Sequence, residues 1–355
     1  MERDKVKVVI WGFGAMGSGM AKMILSKKGF DIVGVCDLYD KIVGKSIFDH
    51  LNVENPYNHD VVISNDIDSI LNNNQVDIVL LATDSYTASA FPKLKKIIEH
   101  GVNVISTAEE MSYPKANQPK LSEELDILAK QHGVTVLGTG VNPGMMMDLL
   151  AICIGGVVED IKEFEISRIN SLSPFGKTVM EEQGVGLTLK EFTERQAKNE
   201  IAGHVGFKES AYMIAEALGL EVVEFKQDMK PIVTEFDRKS PHGFAKAGDV
   251  CGVEMSAYAI LDNGIKIKLY HPQQIEPEMA GVSTGDYIKI LGKPEINLSN
   301  SPEVEGGIGT IAICVNMIPH VINAKPGLVT MIDLPVPRSI MGDVRNLIRK
   351  DWFTW

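Results

Sequence analysis

The stretch KVVIWGFGAMGSGMAKMIL, residues 7–25, holds Gly12, Gly14 and Gly17 in a G-x-G-x-x-G spacing. Between a strand and a helix, that spacing suits the pyrophosphate of a dinucleotide. The first glycine permits a tight turn, the second lets backbone approach the phosphates, and the third lets helix and strand lie close. Phe13, Ala15 and Met16 would then present backbone N–H groups at a helix N-terminus, where the dipole favours negative charge. Twenty residues after Gly17, the run FDIVGVCD ends in Asp37, a carboxylate suited to accept hydrogen bonds from ribose hydroxyls and to repel a 2′-phosphate. NAD is therefore the expected coenzyme, and Lys41 and Lys45 nearby leave room for NADP.

Later apolar runs end in a second set of reactive types. VDIVLLAT delivers Ala82 and Thr83 and is followed by Asp84, VNVIST leads into Thr107, Ala108, Glu109 and Glu110, and VTVLGTG leads to Asn142 and Pro143. Ligands of open parallel sheets bind beyond the carboxyl ends of the strands. Ala82, Thr83, Thr107, Ala108, Asn142 and Pro143 are thus expected to border the coenzyme, and Asp84 the substrate. The adjacent carboxylates Glu109 and Glu110 suit proton transfer or the holding of a cation. Farther along, SRINSLSPFGKTVME sets Arg168 on a strand and Lys177 beside a turn that opens a helix. An arginine fork, a lysine and free helix amides fit a small carboxylate. His204 and His271 are of the type that exchanges protons near neutral pH. No H-E-x-x-H, Cys/His cluster or carboxylate-rich loop occurs in the sequence, so no metal is expected.

The elements that must position these residues follow from periodicity. Up to about Leu137, near-continuous apolar runs alternate with helical patterns such as 88–100 and 120–132, which predicts a Rossmann-type, doubly wound parallel α/β sheet covered on both faces. Asn142 followed by Pro143 reads as a helix start, running toward Ile154. Beyond it come long runs of mixed polarity, 161–171, 246–264 and 265–274, with Asp262-Asn263-Gly264 as a hairpin turn. A helix over 207–218 would cover one face, so a second, antiparallel α+β domain is expected to bind substrate and form a homodimer. The expected division is 1–141, completed by 323–355, for the dinucleotide domain, and 142–322 for the second. The segment 184–188, GVGLT, reads as a flexible loop over the site.

Composition narrows the class. At 355 residues and 45% hydrophobic, the chain can bury two cores. A formal charge of −12 argues against a nucleic-acid partner, which needs a basic stripe. The four scattered cysteines, Cys36, Cys153, Cys251 and Cys314, suit a reducing compartment, each as a small core residue. No apolar run approaches a membrane span and the N-terminus enters a strand directly, so a cytoplasmic protein is expected, with no membrane partner.

Several segments together, WGFGAMGSGMAKMI, VCDLYDK, STAEEMSYP, GTGVNPGMMMDLL, SPFGKT, AKAGDVCGVEMSA and VNMIPHVINAKPGLVTMIDLP, resemble the 2,4-diaminopentanoate dehydrogenase family of ornithine fermentation across nearly the whole chain. More distantly, the organisation is similar to dihydrodipicolinate reductase. There a Ser-Gly-Thr turn after a basic strand holds a substrate carboxylate, and Ser173, Gly176, Lys177 and Thr178 occupy comparable places. The resemblance implies NAD(P)-dependent oxidative deamination of a diamino acid at C4. Glu109 or Glu110 would serve as base or cation holder, His204 as an alternative base, and Arg168, Lys177 and His271 as substrate contacts. Two other readings stay open on the residues alone: a reductase acting on a cyclic imine, and a sensor that binds NAD without turnover.

Overall fold

The computed structural model describes residues 4–349. The chain enters β1 (Val6–Trp11), α1 (Ala15–Leu25) and β2 (Phe30–Cys36), then α2 (Ile47–Leu51), β3 (Ile63–Ser64), α3 (Ile67–Asn73), β4 (Ile78–Leu81) and α4 (Thr87–Glu99). It continues through β5 (Asn103–Ser106), α5 (Pro119–His132) and β6 (Thr135–Gly138). Every residue of β4 and β6 is buried, as strands sandwiched between helix layers require. All neighbours pair in parallel, β6-β5-β4-β1-β2-β3. Since β1 lies between β2 and β4, the strand order reverses there, and such a switch point opens a crevice at the carboxyl edge.

A second compact unit spans Met146–Glu305. It begins with α6 (Leu149–Gly155), β7 (Glu163–Ser171), α7 (Lys177–Glu182), α8 (Leu189–Gln196) and α9 (Phe207–Ala217). The strands β8 (Val222–Val233), β9 (Arg238–Lys239), β10 (Phe244–Ala245), β11 (Val250–Leu261), β12 (Lys266–Gln274), β13 (Gly285–Leu291) and β14 (Ile296–Asn300) follow. Six of them form one sheet, β14-β13-β7-β12-β11-β8. Phe164 and Ile166 of β7, Ile267 and Leu269 of β12, and Ile288 and Ile290 of β13 share a core with Phe207, Ala211 and Ile214 of α9. Each Phe, Ile or Leu side chain among them, fully buried, contributes about 1.5–3 kcal/mol.

Four expectations need correction in this unit. The sheet is mixed rather than antiparallel, because β12 runs parallel to β7; strand direction depends on the intervening chain, here α7 to β11. The helix begins at Leu149, not Pro143, where Asp148 accepts the Leu149 N–H at 2.6 Å. Gly144 at φ +123° lies outside helical backbone. The segment 184–188 is pinned: Gly186 N–H donates to Val250 O and Val250 N–H to Leu187 O, each at 2.8 Å, and Thr188 caps α8 in a reciprocal box with Glu191. Cys153 is exposed while the other three cysteines are buried, because it falls on the outward side of α6.

The chain returns to the first unit at Gly306, ahead of residue 323, because the long apolar helix α10 (Gly306–Ile322) packs on α1, β4, β5 and β6. A Cβ at Gly19 of α1 would overlap the Ile311 side chain of α10, so that side chain lies directly on the backbone of α1. After it, β15 (Gly327–Val329) pairs in parallel with β6 and makes a seven-stranded sheet. Among the described residues no helix is long and apolar enough to cross a membrane.

Candidate active site

The glycine loop sits at the carboxyl end of β1. A Cβ at Gly12, whose φ is +95°, would lie 2.5 Å from Ala82 O and 2.7 Å from Thr83 Cγ2, and one at Gly17 would overlap Gly12 O. Those two glycines are demanded by packing. Gly14 is different, since a Cβ there meets no atom within 4 Å. Its open side faces nothing in the fold, which is the room a pyrophosphate needs. Gly14 is also the N-cap of α1 and offers no side-chain cap, so the first-turn amides at Ala15, Met16 and Gly17 await an acceptor of another kind.

Asp37 follows β2 and touches the same loop. Its Oδ2 accepts the Phe13 N–H at 2.5 Å and its Oδ1 the Tyr39 N–H at 2.8 Å. Each carboxylate oxygen keeps a further lone pair, so the side chain can brace the loop and still receive ribose hydroxyls. Phe13 takes part through its backbone only, because its ring is buried against His50 at 5.5 Å. This set of residues fits a dinucleotide.

The other strand ends complete the rim. Ala82 N–H donates to Trp11 O at 2.8 Å and Thr107 N–H to Leu81 O at 3.0 Å, while Thr83 is exposed and its hydroxyl donates to Asp84. Asp84 is paired with a cation: Lys93 of α4 reaches both carboxylate oxygens at 2.7–2.8 Å. Ala108 is buried, and Asn142 and Pro143 lie in the turn after β6, where Val141 N–H donates to Thr310 Oγ1 at 3.2 Å.

Glu109 and Glu110 part ways. Both open a single turn of 3-10 helix over Glu109–Ser112. Glu110 turns inward, is buried, and accepts the Thr87 N–H at 2.6 Å, so it caps the start of α4. Its role as the base is thereby displaced by a structural one. Glu109 stays half-buried.

In the second unit, three of the residues singled out come together. Arg168 lies on the buried face of β7, where Phe164 and Ile166 give way to Arg168 and Asn170. Its guanidinium donates to Asp286 of β13 and to Val304 O. His271 of β12 donates Nδ1–H to Arg168 O at 2.5 Å, which leaves Nε2 as the acceptor of the neutral ring. His204 stands edge-on to His271, ring centres 4.8 Å apart, and its backbone N–H donates to Met255 Sδ at 2.8 Å. Burial and then the Arg168 charge push the His204 imidazole down to about 3. His271 is held well below 6.5 by burial, then by His204 and Arg168, against its bond to the Arg168 carbonyl. Both rings are therefore neutral, with acceptor nitrogens, at physiological pH.

Lys177 does not join them. It is 78% exposed and faces Glu181 at 3.5 Å, and Gly176 and Thr178 beside it are exposed. Ser173 spends its hydroxyl oxygen on the Glu276 N–H at 2.9 Å. The free-amide argument also weakens at α7, only six residues long. Asp286 and Asn170 were not among the expected site residues. Strand phase carries their signal: Asp286 shares the inward phase of Ile288 and Ile290, and Asn170 that of Phe164 and Ile166. A polar residue in an apolar phase marks either a buried partner or a ligand.

Comparison with known proteins supplies the family. Residues 145–350 match the 2,4-diaminopentanoate dehydrogenase C-terminal domain, and residues 6–138 match the dihydrodipicolinate reductase N-terminus. The chain is 54% identical over 349 residues to the 2,4-diaminopentanoate dehydrogenase of Acetoanaerobium sticklandii, covering 98% of both sequences. Among solved structures, it is similar to the amine dehydrogenase from Mycobacterium smegmatis, at a TM-score of 0.85 and 28% identity, over 95% of this chain and 98% of that one. The fold alone is shared with myo-inositol 2-dehydrogenase from Lactobacillus plantarum, at a TM-score of 0.57 and 12% identity over 93% of each chain. The chain belongs to the 2,4-diaminopentanoate dehydrogenase family.

Proposed function

We propose that the chain catalyses NAD(P)-dependent oxidative deamination of 2,4-diaminopentanoate at C4, giving 2-amino-4-oxopentanoate and ammonia, as a step of ornithine degradation. The observation that carries this reading is the 54% identity to a dehydrogenase of that name over nearly the full length of both chains. Gly12, Phe13, Gly14, Ala15, Met16, Gly17, Asp37, Ala82, Thr83, Thr107, Ala108, Asn142 and Pro143 would hold the coenzyme. When bound, it supplies the acceptor for the hydride from C4.

The chain's own residues do the rest. Glu109 takes a proton from the C4 ammonium, because hydride leaves only a carbon that bears a neutral amine. Loss of hydride makes that C–N bond an iminium, water adds to the carbon, and the C–N bond breaks to release ammonia. Arg168 meets the substrate carboxylate, and neutral His271 and His204 present acceptors to the ammonium groups. In this reading the first unit is the coenzyme domain and the second the substrate domain. A cytoplasmic homodimer is part of the same proposal; the long edge strand β8, with Val223 exposed, supports a partner there, and light scattering tests it.

The test is stoichiometric. Purified protein with NAD and 2,4-diaminopentanoate should form NADH and ammonia in equal amounts. NADH from a 2-hydroxy acid without ammonia would sink the amine assignment, and much faster reduction of dihydrodipicolinate would install the imine reductase in its place.

A further inference from the structure

We propose that Asp286 is a positioning residue for substrate binding: it fixes the plane of the Arg168 guanidinium that receives the substrate carboxylate. Asp286 of β13 and Arg168 of β7 are register partners, so their side chains leave the same face of the sheet. The carboxylate divides its two oxygens. Oδ1 accepts from Arg168 Nη1, and Oδ2 accepts the Val304 N–H at 2.8 Å. Arg168 Nη2 donates to the carbonyl of that same Val304. Carboxylate, guanidinium and peptide thus form a closed triangle in which each member touches the other two. A second tie holds the same segment to β7, where Ser171 N–H donates to Glu303 Oε1 at 3.1 Å.

The triangle takes two of the five N–H groups of the guanidinium. It pins one edge of the planar fork and so fixes the direction of the remaining donors, on a strand whose Arg168 carbonyl is held by His271. Both partners of the pair are almost wholly buried, with 3% and 4% of their side chains exposed. A buried arginine without a counter-charge is costly, and a substrate carboxylate is present only part of the time. Asp286 supplies the charge while the site is empty and the orientation while it is full. This rests on the reading that Arg168 engages the substrate carboxylate.

The experiment compares two amines on the full-length protein: 2,4-diaminopentanoate, and butane-1,3-diamine, which is the same molecule without the carboxylate, followed as substrate or competitive inhibitor. Asp286→Asn keeps the size and one acceptor oxygen. It should raise KM for 2,4-diaminopentanoate about tenfold and leave the KM or Ki of butane-1,3-diamine within about twofold, with NAD affinity unchanged. Asp286→Glu keeps the charge and moves it by one methylene; the same selective rise is expected, and it decides the matter should Asp286→Asn not fold. An unchanged or lowered KM for 2,4-diaminopentanoate, or an equal rise for both amines as a merely structural role would give, overturns the proposal. Arg168→Met separates the two layers. Selective loss there without selective loss at Asp286 overturns the positioning role alone, whereas no selective loss at Arg168 overturns the carboxylate contact and the positioning role together.

Discussion

Gly14→Ala is the substitution that most sharply separates ligand from scaffold. Gly14 has φ −73° and ψ −156°, a conformation open to any L-residue, and the added methyl would meet no protein atom within 4 Å. The folded chain should lose only the difference between glycine and alanine at an N-cap, about 1 kcal/mol at most. In a unit of this size that lowers Tm by about 2–4 °C. The same methyl occupies the space assigned to the pyrophosphate. Losing one charge-assisted contact there costs about 1.5–3 kcal/mol, which is a loss of about tenfold to a hundredfold in NADH affinity. Fluorescence titration of NADH beside thermal melting reads both quantities on one sample. Gly12→Ala is the contrast: at φ +95° and 2.5 Å from Ala82 O, the backbone strain alone costs about 1–3 kcal/mol, and the melt should fall before any question of affinity arises. A folded Gly14→Ala protein with undiminished NADH affinity would show that no phosphate approaches this loop.

Other outcomes follow from the same geometry. Asp37→Ser should raise the ratio of kcat/KM for NADP over NAD about tenfold; an unchanged ratio would place coenzyme discrimination elsewhere. Glu109→Gln should lower kcat about a hundredfold or more with little change in Tm. Glu110→Ala, which strands the Thr87 N–H, should cost about 1–3 kcal/mol of stability; the reverse pattern would exchange the two roles. Stability should also depend on pH through the histidine pair. In the unfolded chain both imidazoles take protons below about 6.5, whereas in the fold His204 waits until about 3 and His271 lies far below its ordinary value. The unfolded state then binds more protons, so stability is full above about pH 6.5 and falls as pH drops, by up to about 1.4 kcal/mol per unit for each ring. Urea midpoints at pH 7.5 and 5.5 test this, and a midpoint that holds or rises toward acid would refute it.

The parallel sheet is legible in sequence because a strand covered on both faces must be apolar at consecutive positions, as in β4 and β6. Gly12 and Gly17 are legible because their spacing is set by one local turn, and Asp37 because one helix and one strand, α1 and β2, fix its distance from that turn. Long-range partners are not. Arg168 reads as a lone cation in the sequence, and the counter-charge that steadies it, Asp286, 118 residues away, is placed beside it only by strand register. The split between Glu109 and Glu110 has a different cause: on a tight helical turn neighbouring residues point in different directions, and which one turns inward depends on what the start of α4 lacks. The parallel pairing of β7 with β12 escaped the pattern because strand direction leaves no mark on alternation. The glycines of segment 184–188 read as a flexible loop, yet its backbone bonds go to β11, a strand more than sixty residues later.

The first unit is written in two pieces, with 160 residues of the second unit between Met145 and Gly306. At translation rates of about 5–20 residues per second, about 8–32 s pass on the ribosome between Met145 and the arrival of α10 at Gly306. Through that interval the side of α1 around Gly19, where Ile311 belongs, and the edge of β6, where β15 belongs, have no cover. An open strand edge next to bare apolar surface is a template for joining another chain. Low expression temperature or a holding chaperone should therefore improve the yield of this protein more than stabilising mutations in the finished fold, and pulse-labelled nascent chains released before residue 306 should aggregate while those released after residue 330 do not.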